Sequence, residues 1–387
     1  MLIFFPIVPG FAETQPFLLL VLGAVLLFSG RISINIYSAL LYYFLILFFI
    51  VLLVSDFNKE YLVELSKLVL VLMLVVLIYP WIGYGSKGFY RFFIAVHMFI
   101  AVLAAFGLAS WLSSIFGRYT TLEGGRGISY LASEPSYAAT YIFYVTLVYT
   151  LGLSKGVFSS RLIQFILLGL LLSTYSLIGF LFFLLILAID ISLGRIHKKI
   201  IMGVLTICGG VAFFFTVKRV STELIPLFTS LFSNDDGLLY LALRFPSAST
   251  RFILNGVAML DGLQRVIYLP FSSFNDALPV LLSNYGLGPV LQKHEVIGAL
   301  HRAGTELKPQ ALFPYVVYVF GVLALPLIIH PLKVSFRVLR EGKPLFFLAC
   351  ISLVFIFFFY QSQYVNPIQF FVFVIIYKFF EGKGERV

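Results

Sequence analysis

The chain has 387 residues, 61% of them hydrophobic and 11% charged, with a formal net charge of +10. A soluble domain carries about 25% charged residues, whereas here apolar runs of the ~18 residues needed to cross hydrocarbon recur along the whole length; an ordinary soluble enzyme is excluded. The positive charge lies in short stretches between those runs, so it reports topology and not nucleic-acid binding. Taken in chain order, the runs predict helices near 14–29, 34–54, 65–82, 92–115, 134–153, 157–174, 177–193, 200–216, 311–330, 345–360 and 364–380. The expected fold is therefore an all-α, polytopic membrane protein of about eleven transmembrane helices. The 44 Phe and 22 Tyr suit lipid-facing helices with aromatic residues at the interfaces. The opening Met1-Leu2-Ile3-Phe4 has no basic n-region, so no cleavable signal peptide is expected.

Charge assigns the sides. Arg31; Lys87 and Arg91; Lys155 and Arg161; Arg195, Lys198 and Lys199; Lys333, Arg337, Arg340 and Lys343; and Lys378, Lys383 and Arg386 all fall on one face of an eleven-span bundle. Against these fifteen cations stand four acids, Asp190, Glu341, Glu381 and Glu385. Lys and Arg are retained in the cytoplasm, which makes this face the inside and puts the N-terminus outside. The thin turn Thr174-Tyr175-Ser176 is expected to divide two helices. A single helix over 157–193 would put Lys155 and Arg161 opposite Arg195, Lys198 and Lys199. The chain then divides into 1–216 with eight helices, an outer loop over 217–310, and 311–387 with three helices and a cytoplasmic tail.

The loop is far longer than an ordinary connection, and such loops commonly carry function. It holds Lys218, Arg219, Arg244, Arg251, Arg265, Lys293, Arg302 and Lys308, together with His294 and His301. Within it, 251–267 reads as an amphipathic helix capped by Ser249-Thr250. Ile253, Val257, Leu260 and Ile267 form its apolar stripe, and Arg251, Asn255, Gly262 and Arg265 share the opposite face. Such a helix lies on the membrane surface or covers a cleft between helices. Cys208 and Cys350 lie in apolar runs and read as packing residues.

The most unusual stretch runs from Arg126 through Gly127-Ile128-Ser129-Tyr130-Leu131-Ala132-Ser133 to Glu134-Pro135-Ser136-Tyr137. Pro135 suits a first helical position, which makes Glu134 the expected N-cap. The free N–H groups of that helix end can hold an anion. The plainer reading is that Arg126 and Glu134 pair to fix the helix end. This stretch, followed at once by an apolar helix, resembles the Glu-Pro-Ser signature of the O-antigen polymerase (Wzy) family, which is related to the O-antigen ligases. Three further stretches follow in that family's order. Leu172-Ser173-Thr174-Tyr175-Ser176-Leu177-Ile178-Gly179 resembles its hairpin, with Leu177 where relatives often carry arginine. Ser249-Thr250-Arg251 resembles the opening of its loop helix, and Asn284-Tyr285-Gly286-Leu287-Gly288 its Gly-x-Gly turn. Pro309-Gln310-Ala311-Leu312 vaguely resembles the ligases' His-Asn-x-x-Leu stretch, with the histidine missing and Lys308 nearby.

The resemblance implies a GT-C-like glycosyltransferase of the bacterial inner membrane, its large loop and active site on the periplasmic side. Such enzymes transfer a growing undecaprenyl-pyrophosphate-linked glycan onto a new lipid-linked repeat unit. The leaving group is a pyrophosphate, and charge developing on it calls for preorganised cations, arginine above all. Arg126 and Arg251 rank first because they fall in the family-like stretches. Arg244, Arg265, Arg302 and Lys308 are further phosphate-binding candidates, each with a surface role as the competing reading, and Tyr137 is expected on the substrate side. Glu134, His294 and His301 are the groups available for the acceptor proton. His301 is preferred as the base, and a capping Glu134 is better suited to orienting an arginine or a sugar. His97 near the inside of its helix, His197 in a basic inside loop and His330 at an inside helix end read as structural. There is no Asp-x-Asp, no phosphate-binding glycine loop and no clustered metal ligands, and Asp235-Asp236 reads as a solvated turn, so no cofactor is expected. The expected partners are the lipid-linked repeat units and the bilayer, with room for a chain-length regulator and none for nucleic acid. An O-antigen ligase and a lipid-linked oligosaccharide flippase are the alternatives.

Overall fold

The computed structural model describes residues 36–54, 87–108, 135–192, 246–265, 274–305 and 307–342, most of 344–358, 372–378, and single positions in 66–79, 127–132 and at 243. The helices expected at 14–29 and 200–216 lie outside the described residues, as do Arg126, Glu134, Arg244, Cys208 and Asp235-Asp236. Among the described residues all regular structure is helical. In chain order the helices are α1 (Ile36–Val54), α2 (Lys87–Ala105), α3 (Pro135–Ser154), α4 (Arg161–Ser173), α5 (Leu177–Ser192), α6 (Pro246–Leu263), α7 (Phe274–Asn284), α8 (Val290–Lys293), α9 (Glu295–Arg302), α10 (Leu312–Phe320), α11 (Leu325–Arg340) and α12 (Pro344–Phe355). Three stretches among the described residues are long and apolar enough to cross a membrane: Lys87–Ala105, Pro135–Ser154 and Leu312–Arg340, the last being α10 and α11 taken together.

The core is built around α3. Every residue from Ala138 to Leu153 except Tyr141 is buried, as expected of a helix that is apolar all round. Phe143 stacks on Phe182 of α5 with centroids 4.0 Å apart. Tyr149 stacks on Phe158 at 4.5 Å, and Tyr90 of α2 meets both rings. The beginning of α2 therefore sits beside the end of α3, and Lys87, Arg91, Lys155 and Arg161 share one end of the bundle. The charge pattern required this arrangement.

Two helices, and not one, occupy 161–192. At their open end Arg161 Nη1 donates to Asp190 Oδ2 at 2.7 Å and to Oδ1 at 2.8 Å. It also reaches Gln164 Oε1, whose amide in turn donates to Thr150 Oγ1 of α3 at 3.1 Å. The pair joins the first residue of α4 to the end of α5, so the two helices are antiparallel about the turn Thr174–Ser176. In that turn Tyr175 adopts φ 44°, a left-handed conformation uncommon for a bulky side chain.

Some boundaries differ from the sequence expectation. The helix expected at 92–115 runs from Lys87 to Ala105, which takes Lys87 and Arg91 into its first turns. It stops because Gly107 turns left-handed at φ 69°, with Leu108 N–H donating to Leu103 O and Gly107 N–H to Ala104 O. This is a Schellman closure. The helix expected at 311–330 is broken at Gly321 (φ 59°) and then continues through Pro331 to Arg340. The break has a partner just past the end of the loop helix: Val322 N–H donates to Arg265 O at 3.1 Å.

The loop helix also differs from its expected form. It begins at Pro246, so Ser249 and Thr250 lie inside it and are buried, and neither caps it. Ile253 and Val257 are buried as expected, but Leu260 is half exposed. Asn255 and Gly262, expected on the face opposite the apolar stripe, turn inward onto α10. Gly262 rests against the Val317 backbone so closely that a Cβ would overlap it. Since Asn255 meets Ala311 and Arg265 meets Val322, α6 runs parallel to α10. It is packed into the bundle alongside α10, part of a stretch long and apolar enough to cross a membrane, and a purely surface position is ruled out.

Candidate functional site

The site begins at the N-terminal end of α3. Pro135 is its first residue, as a fixed φ and a missing N–H favour, and Tyr137 lies in its first turn. Over that turn sits Arg251 of α6. Its guanidinium carbon is 5.5 Å from the Tyr137 ring centroid, and Nη2 makes a long contact of 3.5 Å with the phenolic oxygen. Residues 114 positions apart are thereby joined, one from each of two family-like stretches. The N-terminus of a helix and a delocalised cation lie together, which is an anion-binding combination.

Behind this contact, the chain entering α3 is bound to the hairpin tip. Ile128 N–H donates to Ser173 O at 3.1 Å. The Tyr130 hydroxyl forms a short hydrogen bond with Ser173 Oγ, which itself donates to Leu170 O at 2.7 Å. Gly127 lies against the Thr174 carbonyl with no room for a Cβ. Tyr130 has φ 49° and turns its ring to within 5.2 Å of His97. His97 stacks on Phe93 at 3.9 Å and donates Nδ1–H to Phe93 O at 2.8 Å. The sequence reading set His97 toward the inside; it stands mid-helix, buried beneath the segment that leads to the candidate site.

Around α6 the polar side chains act as joints. His294 is fully buried and caps α9, its Nδ1 accepting from Val296 N–H and Ile297 N–H at 3.2 and 3.1 Å. The proton is therefore on Nε2, which donates to Ser249 Oγ at 2.9 Å. Burial lowers the imidazole pKa, with Glu295 opposing. A neutral, doubly engaged ring is a poor general base. It is also a pH-sensitive joint. Because the folded-state pKa lies below the unfolded one, stability is complete above the ordinary value of 6.5 and declines as pH falls below it. His294→Asn keeps a good capping residue. Thermal melts in detergent between pH 5 and 7.5 are expected to show a smaller acid-side loss for His294→Asn than for the native chain.

Asn255 Oδ1 accepts from Gln310 N–H at 2.7 Å and Ala311 N–H at 3.0 Å, fixing the entry to α10. Arg265 pairs with Asp261, whose carboxyl pKa is raised by burial and lowered in opposition by that guanidinium. Arg302 is exposed and donates to Gln292 O at 3.3 Å. His301 is partly exposed in the last turn of α9, and Lys308 is partly buried. Of the sequence-derived set, then, Arg251 and Tyr137 come together, while Arg265 and Arg302 have other partners. The joints made by Tyr130, Ser173, Ser249 and Asn255 were not anticipated as such. Asn255 carried a signal, lying one helical turn from Arg251 on the same face. No family model, no curated protein and no solved structure matches the chain.

Proposed function

We propose that this chain is a polysaccharide polymerase of the O-antigen polymerase type, transferring a growing undecaprenyl-pyrophosphate-linked glycan onto a new lipid-linked repeat unit. The observation that carries the reading is the Arg251–Tyr137 contact at the α3 N-terminus. It joins two stretches that separately resemble that family, and it offers phosphate a helix end and a guanidinium together. The full bundle is read as about eleven spans of GT-C-like kind in a bacterial inner membrane, with this end periplasmic by the distribution of Lys and Arg.

In the proposed reaction a hydroxyl oxygen of the acceptor repeat unit forms a bond to the donor's anomeric carbon. The bond from that carbon to pyrophosphate oxygen breaks, and its electron pair leaves with the lipid pyrophosphate. The acceptor proton passes to a base, for which His301 is the candidate, since His294 is engaged at both ring nitrogens. Arg251 faces the growing phosphate charge, with Arg126 and Glu134 assigned to the same site from sequence.

Purified protein incubated with undecaprenyl-pyrophosphate-linked repeat units and EDTA is expected to yield a ladder of products on a gel. Absence of a ladder with folded protein and the native repeat unit overturns the polymerase reading. With lipopolysaccharide core added to the reaction, transfer only to that core makes the chain a ligase. In cells, donor held on the inner leaflet after gene deletion makes it a flippase.

A further inference from the structure

The helix that follows the Gly321 break reaches past the elements packed on it. The Tyr43 hydroxyl of α1 donates to Leu323 O at 2.8 Å, and the Tyr37 ring lies 5.3 Å from that of His330, so α1 runs antiparallel to α11. From the helical stretch 372–378, Tyr377 meets the rings of Tyr37 and His330 at 6.3 and 6.0 Å. These contacts put the first turn of α1 and the end of 372–378 level with His330. From that level α11 continues from Pro331 to Arg340, a further rise of about 15 Å. The apolar run that closes at His330 already has the roughly 20 residues of a hydrocarbon crossing, so this continuation lies at the headgroups.

The continuation has two faces. Val334, Ser335 and Val338 are buried, Ser335 Oγ donates to Pro331 O at 2.8 Å, and Phe336 meets Phe347 beside α12 at 6.1 Å. On the other side the side chains of Ile329 and Phe336 are 53% and 52% exposed, and Lys333, Arg337 and Arg340 are exposed with them. At 3.6 residues per turn these five share an arc of about 100°. Arg337 Nε pairs with Glu341 at 3.4 Å. Among the described residues no acid pairs with Lys333 or Arg340. Exposed apolar side chains interleaved with cations fit neither water nor hydrocarbon alone. They fit the boundary, where the phosphodiester and the acyl chains of one lipid lie side by side.

We propose that this face of α11 docks an anionic phospholipid of the leaflet at this end of the bundle, its phosphodiester held by Lys333 and Arg340 and its acyl chains lying along Ile329 and Phe336. Charge decides the occupant. Arginine forks onto phosphate oxygens, and lysine lays its stem on apolar surface while its ammonium reaches the headgroup. A zwitterionic headgroup brings a cation that this face repels, and a second copy of the face would bring like charge against like. The inference rests on the membrane reading and is independent of the polymerase one.

Phe336→Trp puts a reporter on the face, and the native chain, with Trp81 and Trp111, supplies the background to subtract. The full-length variant is reconstituted into phosphatidylcholine vesicles containing brominated phosphatidylglycerol or brominated phosphatidylcholine, and quenching of the indole by bromine is read. At low salt the affinity for phosphatidylglycerol is expected to be about tenfold the greater, less than two fully effective surface cations would give. About 1 M salt should remove most of that preference. Adding Lys333→Gln and Arg340→Gln is expected to bring the two lipids within about twofold of each other, whereas Lys333→Arg with Arg340→Lys keeps the charges and should keep the preference. Equal quenching by the two lipids at low salt overturns the lipid site, as does a preference that survives the two glutamines. Quenching by neither lipid means that protein covers the face, and overturns it too. If the glutamine variant does not fold, the Phe336→Trp chain alone decides: a preference unmoved by salt overturns the site, and one abolished by salt upholds it.

Discussion

Asp190→Ala is expected to lower the stability of the bundle by about 3 kcal/mol. Asp190 is 2% exposed and takes both short contacts from Arg161. Removing it leaves the guanidinium with Gln164 as its remaining charge-assisted partner and no counter-charge among the described residues. The Arg161 side chain is 30% exposed, so water recovers part of its solvation; the expected loss therefore sits at the lower end of the range for a broken buried pair. Arg161→Ala should also destabilise the bundle, because it leaves the buried Asp190 without its counter-charge. The exchange Arg161→Asp with Asp190→Arg should recover much of the loss, since the pair closes the hairpin through charge. Thermal unfolding in detergent reads these differences. A loss below about 1 kcal/mol, the range of an exposed pair, would show that apolar packing alone holds α4 to α5. Because the same hairpin carries Ser173, Thr174 and Tyr175 at its other end, Asp190→Ala should also lose polymerisation on warming, and regain it on cooling.

How far such features were readable from sequence depends on what each residue reports. The antiparallel hairpin followed from charge: two helices alone keep Lys155 and Arg161 on the side of the cations after Ser192. The start of α3 followed from Pro135, whose ring geometry suits one helical position above others. The end of α2 was legible but overlooked, since Gly107 is a helix stop and the apolar run beyond it obscured the signal. Extension of α11 past Pro331 was not legible, because proline disfavours a helix interior locally and only tertiary packing of Ile328, Val334 and Val338 overrides it. The same holds for the inward turn of Asn255 and Gly262. A helical wheel ranks them as polar and small, and both belong outside unless a neighbour needs a carbonyl acceptor or a close backbone approach. The entry to α10 supplies the first need and Val317 the second. Pairwise proximity across the chain, such as Tyr137 with Arg251, is carried by no local pattern.

Arg251→Ala is expected to reduce the rate of ladder formation by at least about 100-fold, the usual loss when one preorganised donor to a developing charge is removed. The argument is differential. Arg251 meets Tyr137 through a cation–π contact and one long hydroxyl contact, interactions worth about 0.5–1 kcal/mol at exposed sites. Thermal stability should move by less than the ~2.7 kcal/mol that a loss of about 100-fold in rate represents. The loss should appear in kcat, because charge on the leaving pyrophosphate is larger in the transition state than in the bound donor. Arg251→Lys keeps the charge and loses the planar fork, so it should fall between alanine and the native residue. Tyr137→Phe keeps the ring under the guanidinium and should stay near native rate, whereas Tyr137→Ala removes the ring that Arg251 faces and should lose activity with it. A double-mutant cycle over Tyr137→Ala and Arg251→Ala then separates positioning from binding. Strongly non-additive losses mean that Tyr137 acts by holding Arg251. Additive losses mean that each touches the donor on its own account. A native-rate ladder from Arg251→Ala removes Arg251 from the phosphate site and moves that role to Arg126, the other arginine of the family-like stretches.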